Sequence, residues 1–318
     1  MDLIYTNANR VDLGVISAYA FDLSFGADEN DFEMTLGKTE AVLEGGAFIY
    51  IEGTEYGGIV DATKTNSSDE NITYTGRTWH GMLNSKVIKP NAGEAYFIVS
   101  GDANEVLSVM VDRLGLGDLF SVDTALSGIN ISRYQFPRYC KGYDGIKNML
   151  LANGAKLKMI WQGRAVVLSA APVVDYTASP VDNDETVLSV EKHDKKVNHL
   201  VCLGKGELTA REVIHLYVDQ FGRIGNTQYF FGLDEIEDIY DNSNTDNLRN
   251  DGIARLKELR DSDNADFTLS ESLERAYDIG DIVGATETQS GVSVNVTVTK
   301  KIVKINNGAI RTEYKTGG

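Results

Sequence analysis

The sequence predicts an α+β, mainly β fold in which an α/β module is inserted between two β-rich regions. Apolar and polar residues alternate along short segments at both ends of the chain, a pattern typical of half-buried strands. Between them, within residues 95–170, apolar residues recur at helical spacing. The 318 residues include four prolines and 31 glycines, which indicates many turns and no proline-rich linker. This length accommodates two or three domains.

The first β-rich region consists of alternating segments joined by turns. The segments 21–25 and 32–36 flank the turn-rich stretch 26–30, which has the length of a hairpin connection. Short strands at this spacing are typical of a small barrel or a sandwich. The predicted strands are 21–25, 32–36, 48–51, 58–60 and 72–77, and Trp79 is placed in a strand as well.

The inserted module begins with a strand at 95–99, after which Asp102 or Asn104 caps a helix that ends at Gly115. An extended segment over 129–136 follows, and Asp144 precedes a second helix that ends at Asn153-Gly154. The segments 157–161 and 165–168 then form a hairpin around the turn at Gln162-Gly163.

The last third returns to strands, predicted at 187–190, 197–203 and 213–219. Asn244 or Thr245 caps a helix whose apolar positions are Leu248, Ile253, Leu256 and Leu259. Valines alternate with polar residues over 292–298, and 302–305 pairs with 310–314 through the turn at 306–308.

The charge balance excludes several classes of protein. There are 30 Lys and Arg against 47 Asp and Glu, which gives a formal net charge of −17. Proteins that bind nucleic acid or anionic lipid directly usually present a basic footprint, so neither kind of binding is expected. The chain begins without a secretory signal and has no apolar run long enough to cross a bilayer. We therefore expect an intracellularly made protein without membrane insertion. Cys140 and Cys202 lie far apart in the sequence and suit a reducing compartment, and a disulfide between them is not indicated.

Sequence motifs for catalysis and metal binding are not found. The histidines have no HExxH-type spacing, the cysteines form no CxxC, and there is no GxSxG elbow. The stretch 204–207 lacks the spacing of a phosphate loop, so we interpret it as a turn. The stretch 241–246 resembles a calcium loop but has Gly252 where glutamate is required, so helix capping is favoured. The histidines are His80, His193, His199 and His215.

The remaining candidates also have a structural interpretation. Three acidic clusters, around Asp28, Asp182 and Asp234, are interpreted as solvated loop or helix-entry acids: Asp28-Glu29, Asp182/Asp184/Glu185 and Asp234/Glu235/Glu237/Asp238. The aromatic groups at 134–136 and 229–231 are typical of a core or of a subunit interface. We accordingly predict no catalytic residue, no cofactor-binding residue and no metal ligand.

Several segments resemble hub proteins of phage tails. They are FDLSFGADENDFE at 21–33, IYIEGTEYGG at 49–58, YTGRTW at 74–79, YDIGDIVG at 277–284 and VTKKIV at 298–303. The resemblance implies two small β-barrel domains with an inserted α/β domain. The implied domains are a first barrel over 1–94 completed by 183–205, an inserted domain over 95–182, and a second barrel over 206–318 with a helical insertion near 245–261.

The function implied by this resemblance is that of a structural hub, not an enzyme. Such a hub is a homotrimer whose paired barrels form a pseudo-sixfold ring. The ring joins the hexameric tail tube or distal tail protein to a separate central spike. Further implied partners are the tape measure and baseplate wedge proteins, in the baseplate of a contractile phage tail or phage-tail-like particle assembled from protein made in the bacterial cytoplasm. In a hub, the acidic excess would face the lumen and repel DNA.

Two other functions remain open at this stage. A carbohydrate-active hydrolase would need a pocket with two facing carboxylates, one of raised pKa. A carbohydrate-binding β module would need an exposed aromatic platform. The two tryptophans, Trp79 and Trp161, lie in predicted strands where core packing is at least as well supported.

Overall fold

The computed structural model describes residues 2–182, 187–260, 263–270 and 276–317, and these residues form a mainly β structure. The strands are β1 Leu3–Thr6, β2 Asp12–Ile16, β3 Tyr19–Gly26, β4 Asp31–Gly37, β5 Phe48–Tyr50, β6 Gly57–Thr65, β7 Asn71–Thr78, β8 Val87–Ile88, β9 Ile98–Asp102, β10 Phe120–Val122, β11 Asn130–Gln135, β12 Cys140–Lys141, β13 Ala155–Gln162, β14 Ala165–Pro172, β15 Val181–Asp182, β16 Leu188–Glu191, β17 His199–Leu203, β18 Val213–Val218, β19 Ile224–Gly225, β20 Glu237–Asp241, β21 Asn264–Ser270, β22 Ile282–Glu287, β23 Val292–Asn306 and β24 Ala309–Gly317. The helices are α1 Trp79–Asn84, α2 Ala103–Leu114, α3 Gly142–Leu151 and α4 Leu248–Arg260.

One large sheet contains most strands from both ends of the chain. Its order is β16-β21-β24-β23-β3-β4-β7-β6-β5-β1-β2, with β22 also on β23 and β15 on β22. The C-terminal strands β16, β21, β24 and β23 adjoin the N-terminal strands through the pairing of β23 with β3. The sheet ends at β16 on one side and at β2 on the other, so the described residues do not close it into a barrel.

The long strand β23 explains why two separate barrels are not confirmed. It pairs with β22 over its first half and with β3 over its second half, with an irregularity between Val298 and Lys300. Val296 contributes to the core beneath the C-terminal strands, whereas Val303 and Ile305 belong to the core of the N-terminal strands. The segments 292–298 and 302–305, predicted as two strands, are thus one strand. The buried residues are Val294, Val296 and Val298 before this irregularity and Lys301, Val303 and Ile305 after it. The extra residue of the bulge shifts the alternation by one position, and one strand can therefore serve two apolar cores.

The inserted module agrees with the sequence in its helices. Asp102 caps α2 by accepting from the Asn104 N–H, and Gly115 ends the helix with a positive φ of 66°. β13 and β14 form the predicted hairpin, and β10 joins them in parallel. α2 and α3 bury their apolar faces against this sheet in a core that also contains Phe48 from the N-terminal strands.

Trp79 lies in a helix, contrary to the prediction of a strand. Thr78 ends β7 and its hydroxyl accepts from the Gly81 N–H, so one residue both finishes the strand and caps α1. A Cβ at Gly81 would lie 2.0 Å from the Asn30 carbonyl oxygen. Only glycine therefore fits where α1 approaches the preceding strands. This short helix has too few residues to show a helical period.

The segment 199–260 forms a smaller unit of its own. β19, β18, β17 and β20 form a four-stranded sheet, and α4 packs on one of its faces. The sequence predicts that 183–205 completes the first β region, but β17 lies in the small sheet instead. The strand that lies beside β3 in the first β region is β23. β16 pairs with β21, and residues 183–186 of the acidic loop are outside the described residues. Asn247 caps α4 by accepting from the Asn250 N–H, whereas Asn244 and Thr245 were the predicted caps.

Two further findings concern the described residues as a whole. Cys140 and Cys202 are free thiols. None of the described helices has the length and apolar character required to cross a bilayer.

Candidate interaction surfaces and the buried junction

A buried ion network joins the three parts of the chain. Asp281, which is fully buried, accepts two hydrogen bonds from Lys156 Nζ at 2.7 and 2.8 Å. Lys156 also lies 2.7 Å from Asp278, and Lys301 donates to Glu55 at 2.5 Å. We call these five residues the junction network. They come from the loop before β6, from β13, from the turn before β22 and from β23, so the network connects the N-terminal strands, the inserted module and the C-terminal strands.

The junction network keeps its charges because the partners oppose the effect of burial. Burial acts to lower the pKa of Lys301, but Glu55 and other nearby groups outweigh it and the pKa is raised. Burial acts to raise the pKa of Asp278, but hydrogen bonds from Lys156 and Lys158 lower it overall. Buried pairs of this kind are strongly destabilising when one partner alone is removed.

His80 lies in α1 beside this network, and only 3% of its surface is exposed. Its ring stacks on Phe25 with centroids 4.5 Å apart, and its Nδ1 has no hydrogen-bond partner among the described residues. Burial lowers the pKa of His80 to about 4, although Glu55 acts in the opposite direction. The imidazole is therefore neutral in the folded protein at neutral pH, and His80 adds no charge to the junction network.

We expect the free energy of unfolding to fall as the pH is lowered from about 6.5 to about 4. The unfolded chain protonates His80 near 6.5 but the folded chain does so only near 4, so acid favours the unfolded state in this window. The contribution of His80 is roughly 3 kcal/mol over the window. Urea unfolding of the wild type and of His80→Gln at several pH values measures it. An equal pH slope in both proteins would contradict the prediction.

An acidic groove runs along the exposed surface of β3, β4 and β7. It has a volume of about 520 Å³ and is open to solvent. Burial is the main cause that raises the pKa of Asp22 and of Asp31, whereas Arg77 forms a bidentate ion pair with Asp61 across the groove. The raised pKa values match one requirement for a hydrolase. The open groove on a flat sheet surface lacks the enclosed cleft across which a glycosidase positions its two carboxyls.

The tryptophans do not provide a carbohydrate platform. Trp79 and Trp161 are 0% and 3% exposed and stack with centroids 5.1 Å apart. Tyr50 stacks on Trp161 at 4.2 Å, and Phe48 meets both indoles edge-on. This aromatic cluster anchors the inserted module to the N-terminal strands.

The small sheet exposes the face that α4 does not cover. Leu200, Cys202 and Leu216 point towards α4, and alternation turns their neighbours to the other side. There Val213 is 46% and Ile239 is 63% exposed. We call this surface the open sheet face. Its apolar residues are Val201, Leu203, Val213 and Ile239.

The loop beside the open sheet face adds exposed aromatic surface. Phe231 is 65% exposed, Tyr229 is 47% exposed, and Leu233 next to them is 95% exposed. Of the two interpretations of the 229–231 cluster, a core is therefore wrong for these residues and a subunit interface remains. The other cluster differs, because Phe136 is buried and stacks on Phe97.

The edge strand β2 forms a second apolar surface. It is the last strand of the large sheet, paired only with β1 among the described residues. Val11, Leu13 and Val15 lie at alternate positions and are 48%, 55% and 51% exposed. An apolar edge strand can pair with a further strand unless it is protected, so β2 is suited to an interface between chains.

The histidines fall into three environments. His80 is buried at the junction, and His193 is exposed beside Glu191. His199 and His215 meet on the open sheet face, with Nε2 of the first 2.8 Å from Nδ1 of the second. The acidic stretch that contains Glu235 and Glu237 reaches the same place. The sequence alone does not reveal that His199 and His215 meet Glu235 and Glu237, because no short motif contains both the histidines and the acids.

Comparison with known proteins identifies the fold. No protein-family model and no curated protein matches the chain. The 43 kDa tail protein of prophage MuSo2 from Shewanella oneidensis matches with a TM-score of 0.60 and 13% identity, over 99% of this chain and 98% of that one. Prophage tail protein gp18 from Listeria monocytogenes matches with a TM-score of 0.56 and 13% identity, over 99% and 94%. A chain of the p2 virion baseplate matches with 0.51 and 12%, over 99% and 98%. The chain therefore has the fold of phage tail and baseplate proteins, as its resemblance to them predicted.

Proposed function

We propose that this protein is the structural hub of a phage tail or phage-tail-like particle. The observation that carries the proposal is the extent of the likeness, which covers 99% of this chain and 98% of the MuSo2 tail protein. Because almost nothing of either chain is left over, the whole chain serves one architectural task. A scaffold also accounts for a structure whose polar networks connect its parts, and in which the grooves along β3, β4 and β7 and beside α4 are open to solvent.

The two apolar surfaces support assembly. Obligate interfaces bury about 2,000–5,000 Å² and are more hydrophobic than the remaining surface. The open sheet face and β2 each expose large aliphatic side chains in adjacent positions. Left uncovered, such surfaces promote aggregation, so we infer that other chains cover them in the particle.

The proposed assembly is a homotrimer in the virion tail or baseplate. Each subunit has an N-terminal and a C-terminal β unit that share β23, and three subunits would present six such units to a hexameric tube or distal tail ring. The opposite end would hold the central spike, and the tape measure and wedge proteins would contact the ring. The acidic excess would then face the lumen, where it repels DNA.

The mass of the purified protein tests the trimer. We expect light scattering of the protein alone to give about three times the 34.8 kDa of one chain, or, where trimerisation needs the tube and spike partners, a complex with them that contains three copies of this chain. A protein that stays a monomer with both partners present would contradict the proposal.

Leu13→Lys is expected to weaken this assembly at least tenfold while the fold is retained. Leu13 is exposed on β2, so a charge there leaves the core intact but opposes burial in an interface. The free energy of unfolding should change by no more than about 0.5 kcal/mol. Val42→Lys is the matched control, since Val42 is 76% exposed but lies outside the edge strand. Equal assembly of both variants would exclude β2 from the interface.

A further inference from the structure

His199 lies at the centre of a cluster of two carboxylates and a second imidazole. Its Nδ1 is 2.8 Å from an oxygen of Glu235 and 2.9 Å from an oxygen of Glu237. Its Nε2 is 2.8 Å from Nδ1 of His215. The ligand atoms of the first three residues all lie within 4.8 Å of one another. We call His199, Glu235 and Glu237 the three-ligand group.

The fold holds the three-ligand group in place through its backbone. Glu237 is the cross-strand neighbour of His199 in the parallel pair β17–β20. Asn198 donates to the carbonyl of Asp234 at 2.7 Å and accepts from the Ile236 N–H at 3.0 Å, which fixes the chain on either side of Glu235. The backbone positions of both glutamates are therefore fixed by contacts with β17 and its neighbour Asn198.

Neighbouring side chains orient the ligands. Gln228 donates to the same Glu235 oxygen at 2.7 Å, and Tyr217 stacks on the His199 ring with centroids 4.3 Å apart. His199 is 6% exposed, so its ring is held in one orientation. Metal-binding histidines typically use their second ring nitrogen to donate to a fixed partner, and His215 occupies that position here.

The placement of protons shows what is unusual about this arrangement. One Nδ1 can carry a single proton, yet two carboxylate oxygens lie within hydrogen-bond distance of it. A divalent cation at Nδ1 would interact with both carboxylates at once. His199 would then carry its proton on Nε2 and donate it to His215 Nδ1, so that both ring nitrogens of His199 would have a partner.

We propose that the three-ligand group binds a divalent transition metal of the zinc type. One imidazole and two carboxylates are suitable zinc ligands, and water would complete a tetrahedral site. Ligand atoms around tetrahedral zinc lie about 3.3 Å apart, so the group must open by a few tenths of an ångström. Glu237 can supply this movement, because its side chain is 59% exposed. The imidazole ligand disfavours Ca²⁺, which prefers oxygen ligands. This inference does not depend on the hub function.

Equilibrium dialysis of the full chain against Zn²⁺, with metal content measured by mass spectrometry, tests the proposal. We expect one tightly bound zinc ion per chain in the wild type and at least tenfold weaker binding in Glu237→Gln and His199→Gln. His193→Gln is the matched control, since His193 pairs with Glu191 on the surface, and it should bind like the wild type. Glu237→Gln keeps the test decisive if the buried His199 variant misfolds.

Three results would overturn the proposal. The first is a wild type that retains no zinc, and the second is zinc binding that Glu237→Gln leaves unchanged. The third is displacement of zinc by an equal concentration of Ca²⁺, which would show a purely carboxylate site. With Co²⁺ as a probe, we expect the intense visible absorption of a four-coordinate ion, and its absence would contradict the tetrahedral arrangement.

Discussion

Replacing Asp281 with alanine is expected to lower the free energy of unfolding by about 3–5 kcal/mol. The carboxylate is fully buried and accepts from Lys156 as well as from the N–H groups of Val174 and Asp278. Its removal leaves a buried ammonium with one fewer counter-charge and leaves both N–H groups without this acceptor. Lys156 belongs to the inserted module and Asp281 precedes β22 of the C-terminal strands. The loss of their ion pair therefore weakens the contact between these two parts of the fold.

Urea unfolding measures this effect, and two variants make it specific. Glu258→Gln breaks the exposed pair with Arg255 in α4 and should change the free energy of unfolding by less than about 1 kcal/mol. The double variant Lys156→Met/Asp281→Leu should be more stable than Asp281→Ala, since it removes the buried ammonium together with its carboxylate and Asp278 still accepts from Lys158 at 2.9 Å. A loss below about 1 kcal/mol in Asp281→Ala would show that the junction network does not hold the parts together.

Replacing Trp161 with alanine is expected to lower the free energy of unfolding by about 3–5 kcal/mol. The indole fills the space between Tyr50, Phe48 and Trp79, and the surrounding rigid rings cannot collapse into the cavity. Ile160→Ala is the control one residue away, because Ile160 is 41% exposed on the other face of β13. It should cost less than about 1 kcal/mol. Similar losses for the two variants would mean that the aromatic cluster does not anchor the inserted module.

Local patterns predicted the elements whose signals are contained within them. The cap at Asp102, the stop at Gly115 and the β13–β14 hairpin all follow from a few adjacent residues. Long-range pairing could not be predicted in this way. That β23 serves two cores depends on β3, which lies nearly 300 residues earlier in the chain, and period-2 alternation contains no information about the partner strand.

The three-ligand group illustrates the same limit at a site. Glu235 lies 36 residues after His199, and His215 lies 16 residues after it, so no short motif contains them. The parallel pairing of β17 with β20 brings the acidic stretch to His199, and the antiparallel pairing of β17 with β18 brings His215 there. From the sequence alone, the acidic stretch that contains Glu235 and Glu237 is interpreted as solvated, because the sequence does not show which residues lie next to it in space. The exposure of Phe231 likewise follows from tertiary structure and not from its hydrophobicity.

The most direct test of the hub proposal is an electron cryomicroscopy reconstruction of the particle with this chain located in it. We predict three copies per tail, at the junction between the tube or distal tail ring and the spike, with β2 and the open sheet face covered by neighbouring chains. Six copies in a simple sixfold ring, or a location away from that junction, would contradict it.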